Sequence, residues 1–319
     1  TTVLRGALSP AVPMHVATAP APGTGKSYLM DIASAISLGT RCAAITQSPN
    51  PEETEKRLHS LALSGRSIVA IDNVTEALGG AALNAMISQD AVTIRRLGGS
   101  DETTVPNAFT VFANGNNLSA PADLVRRTLV CRLDAGMESP EKRLFASDPV
   151  ETVLADRGYY VAAALTIGRA YVAAGSPGQL DPLPSFKSWS NLVRSAIVWL
   201  GMPDPCLSMD AAKVDDPFHA AKVGVFHAWQ SELGLRIAGL TTRRLIELAN
   251  EVDEHGFRHP LFREACLDVA GERNDTDISS RRLGRWLEKN TNNVIGQMRL
   301  LCDRSDAARP KWLLQRMDG

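Results

Sequence analysis

Apolar positions in the first 135 residues fall into two kinds of segment. Short apolar runs at residues 14–18, 42–46, 67–73, 109–113 and 128–133 have the length of strands buried on both faces. Between them, residues 28–37, 49–63 and 76–88 carry apolar side chains at helical spacing. Pro51-Glu52-Glu53 opens the second helix with acids in the first turn, where the helix dipole favours them. Strands alternating with helices predict a parallel sheet covered on both faces. Residues 92–97 and 102–105 flank Gly98-Gly99-Ser100-Asp101 and predict a β-hairpin.

Beyond Phe145 the pattern becomes helical. Residues 150–174 are almost continuously apolar, and Trp189 to Arg194 begin a further helix. Residues 201–217 are rich in Pro and Asp and read as a linker. Helices are expected at 222–233, 242–252, 260–270 and 279–289. Strands at 294–301 and 311–315 follow, joined by a loop at 303–310. Helices followed by a two-stranded wing predict an α+β winged-helix domain. The expected division is a nucleotide-binding core at 1–145, a helical lid at 146–205, a linker and connecting helix at 206–235, and a DNA- or partner-binding winged helix at 236–319.

Composition changes this picture little: 319 residues, 44% hydrophobic and 22% charged, describe an ordinary globular chain with room for several cores. It contains no run of 18 apolar residues, so no membrane association and a cytoplasmic location are expected. Five scattered cysteines without metal spacing are expected to be reduced thiols. The chain opens Thr-Thr without an initiator Met or targeting pattern and is read as a piece of a longer polypeptide. Charge is informative. The net charge is −1, yet from Ile278 onward nine Lys/Arg face four acids, leaving −6 on the first 277 residues. A basic C-terminal module on an acidic body points to nucleic acid, with Arg281, Arg282 and Arg285 on the helix before the wing as candidate DNA contacts.

The strongest local signal is Pro20-Ala21-Pro22-Gly23-Thr24-Gly25-Lys26-Ser27. It matches the phosphate-binding loop G-x-x-x-x-G-K-[ST] except at its first glycine, which is Pro20 here. Gly23 and Gly25 let backbone N–H groups converge on phosphate oxygens. Lys26 reaches the β- and γ-phosphates, Ser27 is positioned to ligate Mg²⁺, and Pro22, Thr24 and Tyr28 complete the nucleotide-binding stretch. Asp72, at the end of an apolar strand 45 residues after Ser27, fits the second carboxylate-bearing motif that holds Mg²⁺ in such sites. Asn114-Gly115-Asn116-Asn117 ends the fourth strand, where an amide is placed to orient water or read the γ-phosphate, unless it serves only as a turn.

Phosphate loop, strand-end Asp72, strand-end asparagines and Arg126-Arg127 together resemble an AAA+ ATPase core. More narrowly, Ala113 to Leu118, Asp123 to Arg127 and Glu138 to Arg143 resemble the helicase part of primase–helicases of phages, plasmids and genomic islands, related to superfamily III and MCM-like motors. The resemblance spans residues 10–205. It implies ATP and Mg²⁺ as cofactors and a homo-oligomeric ring, a hexamer, with DNA and a primase domain or partner. It implies Asn116 or Asn114 as the γ-phosphate sensor and Arg126 or Arg127 as an arginine supplied to the neighbouring site. Arg194 on the lid becomes a second phosphate sensor, and Arg95 and Arg96 on the hairpin line a DNA pore. One position departs: Asn73 stands where such proteins carry a water-activating Glu, so either another carboxylate, Glu53 or Glu76, serves or hydrolysis is slow. The expected function is therefore an ATP-dependent DNA translocase or helicase. The alternative is an ATP-switched DNA-binding assembly factor, and a small-molecule kinase is disfavoured by the paired arginines.

Overall fold

The computed structural model describes residues 1–75, 78–95, 102–118, 122–214, 216–235, 238–272, 276–306 and 309–317. Glu76, Arg96 and the expected turn at 98–101 lie outside the described residues, as does the Arg95 side chain. The chain divides into two compact units, Thr1–Asp216 and Pro217–Gly319.

The first unit begins with β1 (Met14–Ala19), α1 (Lys26–Leu38), β2 (Ala44–Thr46), α2 (Pro51–Leu63) and β3 (Ile68–Asp72). Then come α3 (Ala81–Ser88), β4 (Ala91–Arg95), β5 (Glu102–Pro106), β6 (Thr110–Asn116), α4 (Ala122–Val125) and β7 (Thr128–Arg132). Five strands form a wholly parallel sheet in the order β2-β3-β6-β1-β7, an α/β core of the Rossmann or phosphate-loop kind. β4 and β5 pair antiparallel as a separate two-stranded ribbon, Val92 opposite Val105. Met14, Val69, Ala70, Ala113 and Leu83 sit at 0–1% exposure, as a sheet covered on both faces requires.

The first unit continues with α5 (Pro149–Ala155), α6 (Arg157–Ala173), α7 (Lys187–Trp189), α8 (Ser195–Trp199) and α9 (Leu207–Val214). The expected single helix over 150–174 is broken at Asp156, whose backbone leaves the helical region (φ −135°, ψ 49°). A π-helical turn, Ser190–Arg194, joins α7 to α8. α5 packs on α1 through a small core of its own, Ala35, Val150 and Val153. The stretch read as a linker carries α9, whose Met209 and Ala212, with Cys206 ahead of it, join the main core. Ser208 Oγ accepts from Val130 N at 3.1 Å, closing part of the open edge of β7.

The second unit has its own core, built on Phe226, Trp229, Leu245, Phe262, Leu283 and Leu314. Its elements are α10 (Pro217–Ala228), β8 (Leu240–Thr241), α11 (Thr242–Ala249), β9 (Val252–Asp253) and β10 (Gly256–Phe257). They continue with α12 (Pro260–Ala270), α13 (Ser280–Asn290), β11 (Val294–Ile295), β12 (Met298–Asp303) and β13 (Lys311–Arg316). β8 and the last three strands form an antiparallel sheet in the order β11-β12-β13-β8, against which the helices pack. α11 is shorter than expected, ending at Ala249.

Candidate functional site

The site is assembled at the carboxyl end of the parallel sheet because of strand order. β6 lies between β1 and β3, so the ends of β1, β6 and β3 are adjacent although far apart in sequence. Ala17 is in register with Asn114 and Ala19 with Asn116. β1 runs directly into the glycine-containing loop, where Gly23 (φ 73°) and Gly25 (φ 100°) occupy conformations that L side chains rarely adopt. Gly25 is the N-cap of α1 and supplies no side-chain cap, so the first amides of this helix face the loop concavity for an anion to satisfy.

Within this frame the predicted residues converge. Lys26 Nζ donates to Asn116 Oδ1 at 2.7 Å and to Ala21 O at 3.1 Å. Ser27 Oγ donates to Asp72 Oδ1 at 3.2 Å. Asn114, 2% exposed, donates from Nδ2 to Ser27 Oγ at 3.1 Å and accepts on Oδ1 from Asn73 N at 2.9 Å. The two asparagines therefore divide the work: Asn116 meets the lysine, and Asn114 fixes the serine and the turn after β3. Partial burial lowers the Lys26 pKa, and the nearby Asp72 carboxylate opposes that shift. Ser27 Oγ and Asp72 are hard oxygen donors side by side, a set that suits Mg²⁺ with phosphate and water completing its shell.

Gly115, between the two asparagines, is required by close approach. A Cβ there would collide with the Val74 carbonyl, while Val74 N donates to Asn114 O at 2.8 Å. The turn leaving β3 is thus pressed onto β6, which holds Asp72 beside the loop.

The arginines are placed as follows. Arg127 is half-buried: its guanidinium donates to Ser88 Oγ, its carbonyl accepts from Met14 N, and it ties α3 to the start of β1. Arg126 beside it is exposed, so of the pair only Arg126 is free to reach beyond its own unit. Arg194 does not line the loop cavity. Asp204 holds it by two bonds, Nε–Oδ1 at 2.9 Å and Nη2–Oδ2 at 2.6 Å, with its side chain 14% exposed. The π-helical turn aims it at the 181–204 region, so it braces the helical segment instead. Glu53 is paired with Lys56 at 3.7 Å on α2 and does not line the cavity.

The residues that sequence reasoning missed come from the segment after β7. A cavity of about 670 Å³ opens over Gly23–Tyr28, and its other wall is Arg143, Leu144, Phe145, Ser147, Asp148 and Pro149. Arg143 Nη2 donates to Thr24 O at 3.0 Å, and its guanidinium lies 5.2 Å from the Phe145 ring centre. A Cβ on Gly23 would lie 2.8 Å from Glu141 Cβ, so this segment rests on the Gly23–Ser27 loop itself. The signal lay in topology: β7 adjoins β1, and a chain leaving β7 at the same sheet end emerges beside the loop that β1 feeds.

In the second unit, Arg281 and Arg285, one turn apart on α13, line a cleft with Ser280, Thr242 and Arg304. Glu288 also lines it and pairs with Arg304 at 2.8 Å. Arg282 is placed differently: its Nη1 donates to Gly271 O, tying α13 to the end of α12.

No protein-family model matches the chain, and no curated protein does. Among solved structures, an apo A-form structure of the C-terminal region of NrS-1 aligns over 96% of this chain and 67% of that one, with 14% identity and a TM-score of 0.42. A second, of its residues 305–718, aligns over 98% and 69%, with 13% identity and a TM-score of 0.43. Among the described residues, no helix is long and apolar enough to cross a membrane.

Proposed function

We propose that the first unit binds and hydrolyses ATP in the manner of an AAA+ module, and that the chain is the motor part of a DNA translocase. The observation that carries this is the pair of hydrogen-bonded sets, Asn116–Lys26 and Asn114–Ser27–Asp72, across three neighbouring strand ends. In this reading Gly23 to Ser27 bind the β- and γ-phosphates, and Ser27 with Asp72 holds Mg²⁺, which would neutralise the phosphate charge when bound. Asn116 leaves Lys26 for the γ-phosphate as nucleotide enters, so the end of β6 registers whether a triphosphate is present. Arg126 is the residue offered to a neighbouring copy in a ring, where an arginine supplied in trans contributes about 10³- to 10⁵-fold in known cases. The β4–β5 ribbon, carrying Arg95, would face DNA in the pore of that ring, and the second unit would contact duplex as a winged helix through Arg281 and Arg285.

A second reading, an ATP-switched assembly factor that scarcely turns over, is favoured by Asn73, which cannot accept a proton. ATP hydrolysis with and without single-stranded DNA, on wild type, Lys26→Ala and Arg126→Ala, separates the two. A motor gives DNA-stimulated turnover lost in both variants. Nucleotide binding with negligible turnover selects the switch. Unaltered binding and turnover in Lys26→Ala defeats both.

A further inference from the structure

We propose that the segment Arg143-Leu144-Phe145 is a clamp that takes the purine base of the bound nucleotide by its ring face, and that the site therefore accepts ATP and GTP alike. This rests on the phosphate-loop reading above and extends it to the other end of the ligand.

Three observations carry it. First, the cavity over the loop is lined both by the glycine-containing loop with Lys26 and by the apolar side chains of Leu144 and Phe145. These residues are 99% and 70% exposed, and Tyr28, which also lines the cavity, is 41% exposed. At about 670 Å³ the space is of ligand-pocket size. Second, the clamp is fixed to the phosphate end. Arg143 is bonded to Thr24 O at 3.0 Å and Pro140 O at 3.2 Å, and the turn before it abuts Gly23. A triphosphate seated on the loop thus meets the aromatic wall at a set distance rather than on a wandering loop.

Third, the charged groups of the wall already have partners. Asp148, the group best suited to read the edge of a guanine, accepts from Val150 N at 2.7 Å through Oδ1 and from Arg41 at 2.8 Å through Oδ2. Arg41 also reaches Asp31 and Glu151, which anchors this arrangement to α1 and α5. A carboxylate so engaged has little capacity left to select an amino-imino edge. Stacking does not distinguish purines, because every base offers a π-face, whereas strong discrimination requires hydrogen-bonding groups committed to one substrate.

Calorimetric titration of the full chain with ATP, GTP and inorganic tripolyphosphate, each with Mg²⁺, tests the proposal. In wild type the Kd values for ATP and GTP should agree within about tenfold. Phe145→Ala should weaken both nucleotides by roughly 5- to 100-fold while tripolyphosphate binding stays unchanged, and Phe145→Trp should restore them. Phe145 is exposed, so the substitution leaves the core intact. If Phe145→Ala moves ATP and tripolyphosphate equally, or moves neither, the clamp is wrong. A difference between GTP and ATP of more than about tenfold, in either direction, overturns face-only readout. Lys26→Ala reports on the loop separately: it should abolish tripolyphosphate binding, and retention would overturn the phosphate reading while leaving the Phe145 comparison interpretable.

Discussion

Asn73 holds a left-handed backbone, φ 52°, directly after Asp72 at the end of β3. Asn is among the few residues that visit this region at low cost, because its short amide bonds locally. Its N–H is also spent on Asn114 Oδ1. The residue that looked like a missing catalytic Glu is thus the residue the turn favours. Asn73→Ala should lower the stability of the first unit by about 1 kcal/mol, and Asn73→Gly by less than half of that, read from urea midpoints at constant m. Equal losses would show that the turn does not depend on φ. Lys26, Ser27 and Asp72 were legible in the sequence because their chemistry is written in a short motif and a strand end. The roles of Arg127, Arg194 and Arg143 were not. Each depends on which distant oxygen lies within reach: Ser88, Asp204 or the Thr24 carbonyl.

Helical spacing found most of the helices, because burial on one face leaves a period, and continuous apolar runs found all five strands of the parallel sheet, because strands covered on both faces leave none. It failed at local breaks. The helix expected from 76 begins only at Ala81, after Gly80 at φ 105°, and the helix over 150–174 is divided at Asp156. α9 was hidden by the Pro- and Asp-rich composition around it, though its buried positions are spaced as a helix requires. On α13 the same spacing sorts three arginines. Arg281 and Arg285 share the open cleft, whereas Arg282 is bound to Gly271 O. Replacing Arg281 and Arg285 with Ala should weaken duplex binding and flatten its log–log salt dependence by about 2. Arg282→Ala should leave that slope unchanged and cost the second unit about 1 kcal/mol, seen in its urea midpoint. The reverse assignment would move the DNA contact to the end of α12.

The two units have separate cores, with none of the buried residues of one counted in the other. Calorimetry of the whole chain should show two transitions, and Mg-ATP at a hundred times its Kd should raise only the one belonging to Thr1–Asp216, by roughly 5–10 °C. A shift of both by the same amount would mean that the units unfold as one. Within the first unit, β1 is hydrogen-bonded on one side to β6 and on the other to β7, neither of which is its neighbour in sequence. In a cell this sets a waiting time. A ribosome that has released Met14–Ala19 must still make over a hundred residues before Thr128–Arg132 exists, about 5–20 s at ordinary elongation rates. Until β6 emerges this central strand has two open edges, and until β7 emerges it has one; a message truncated before β6 would yield a chain that never closes either.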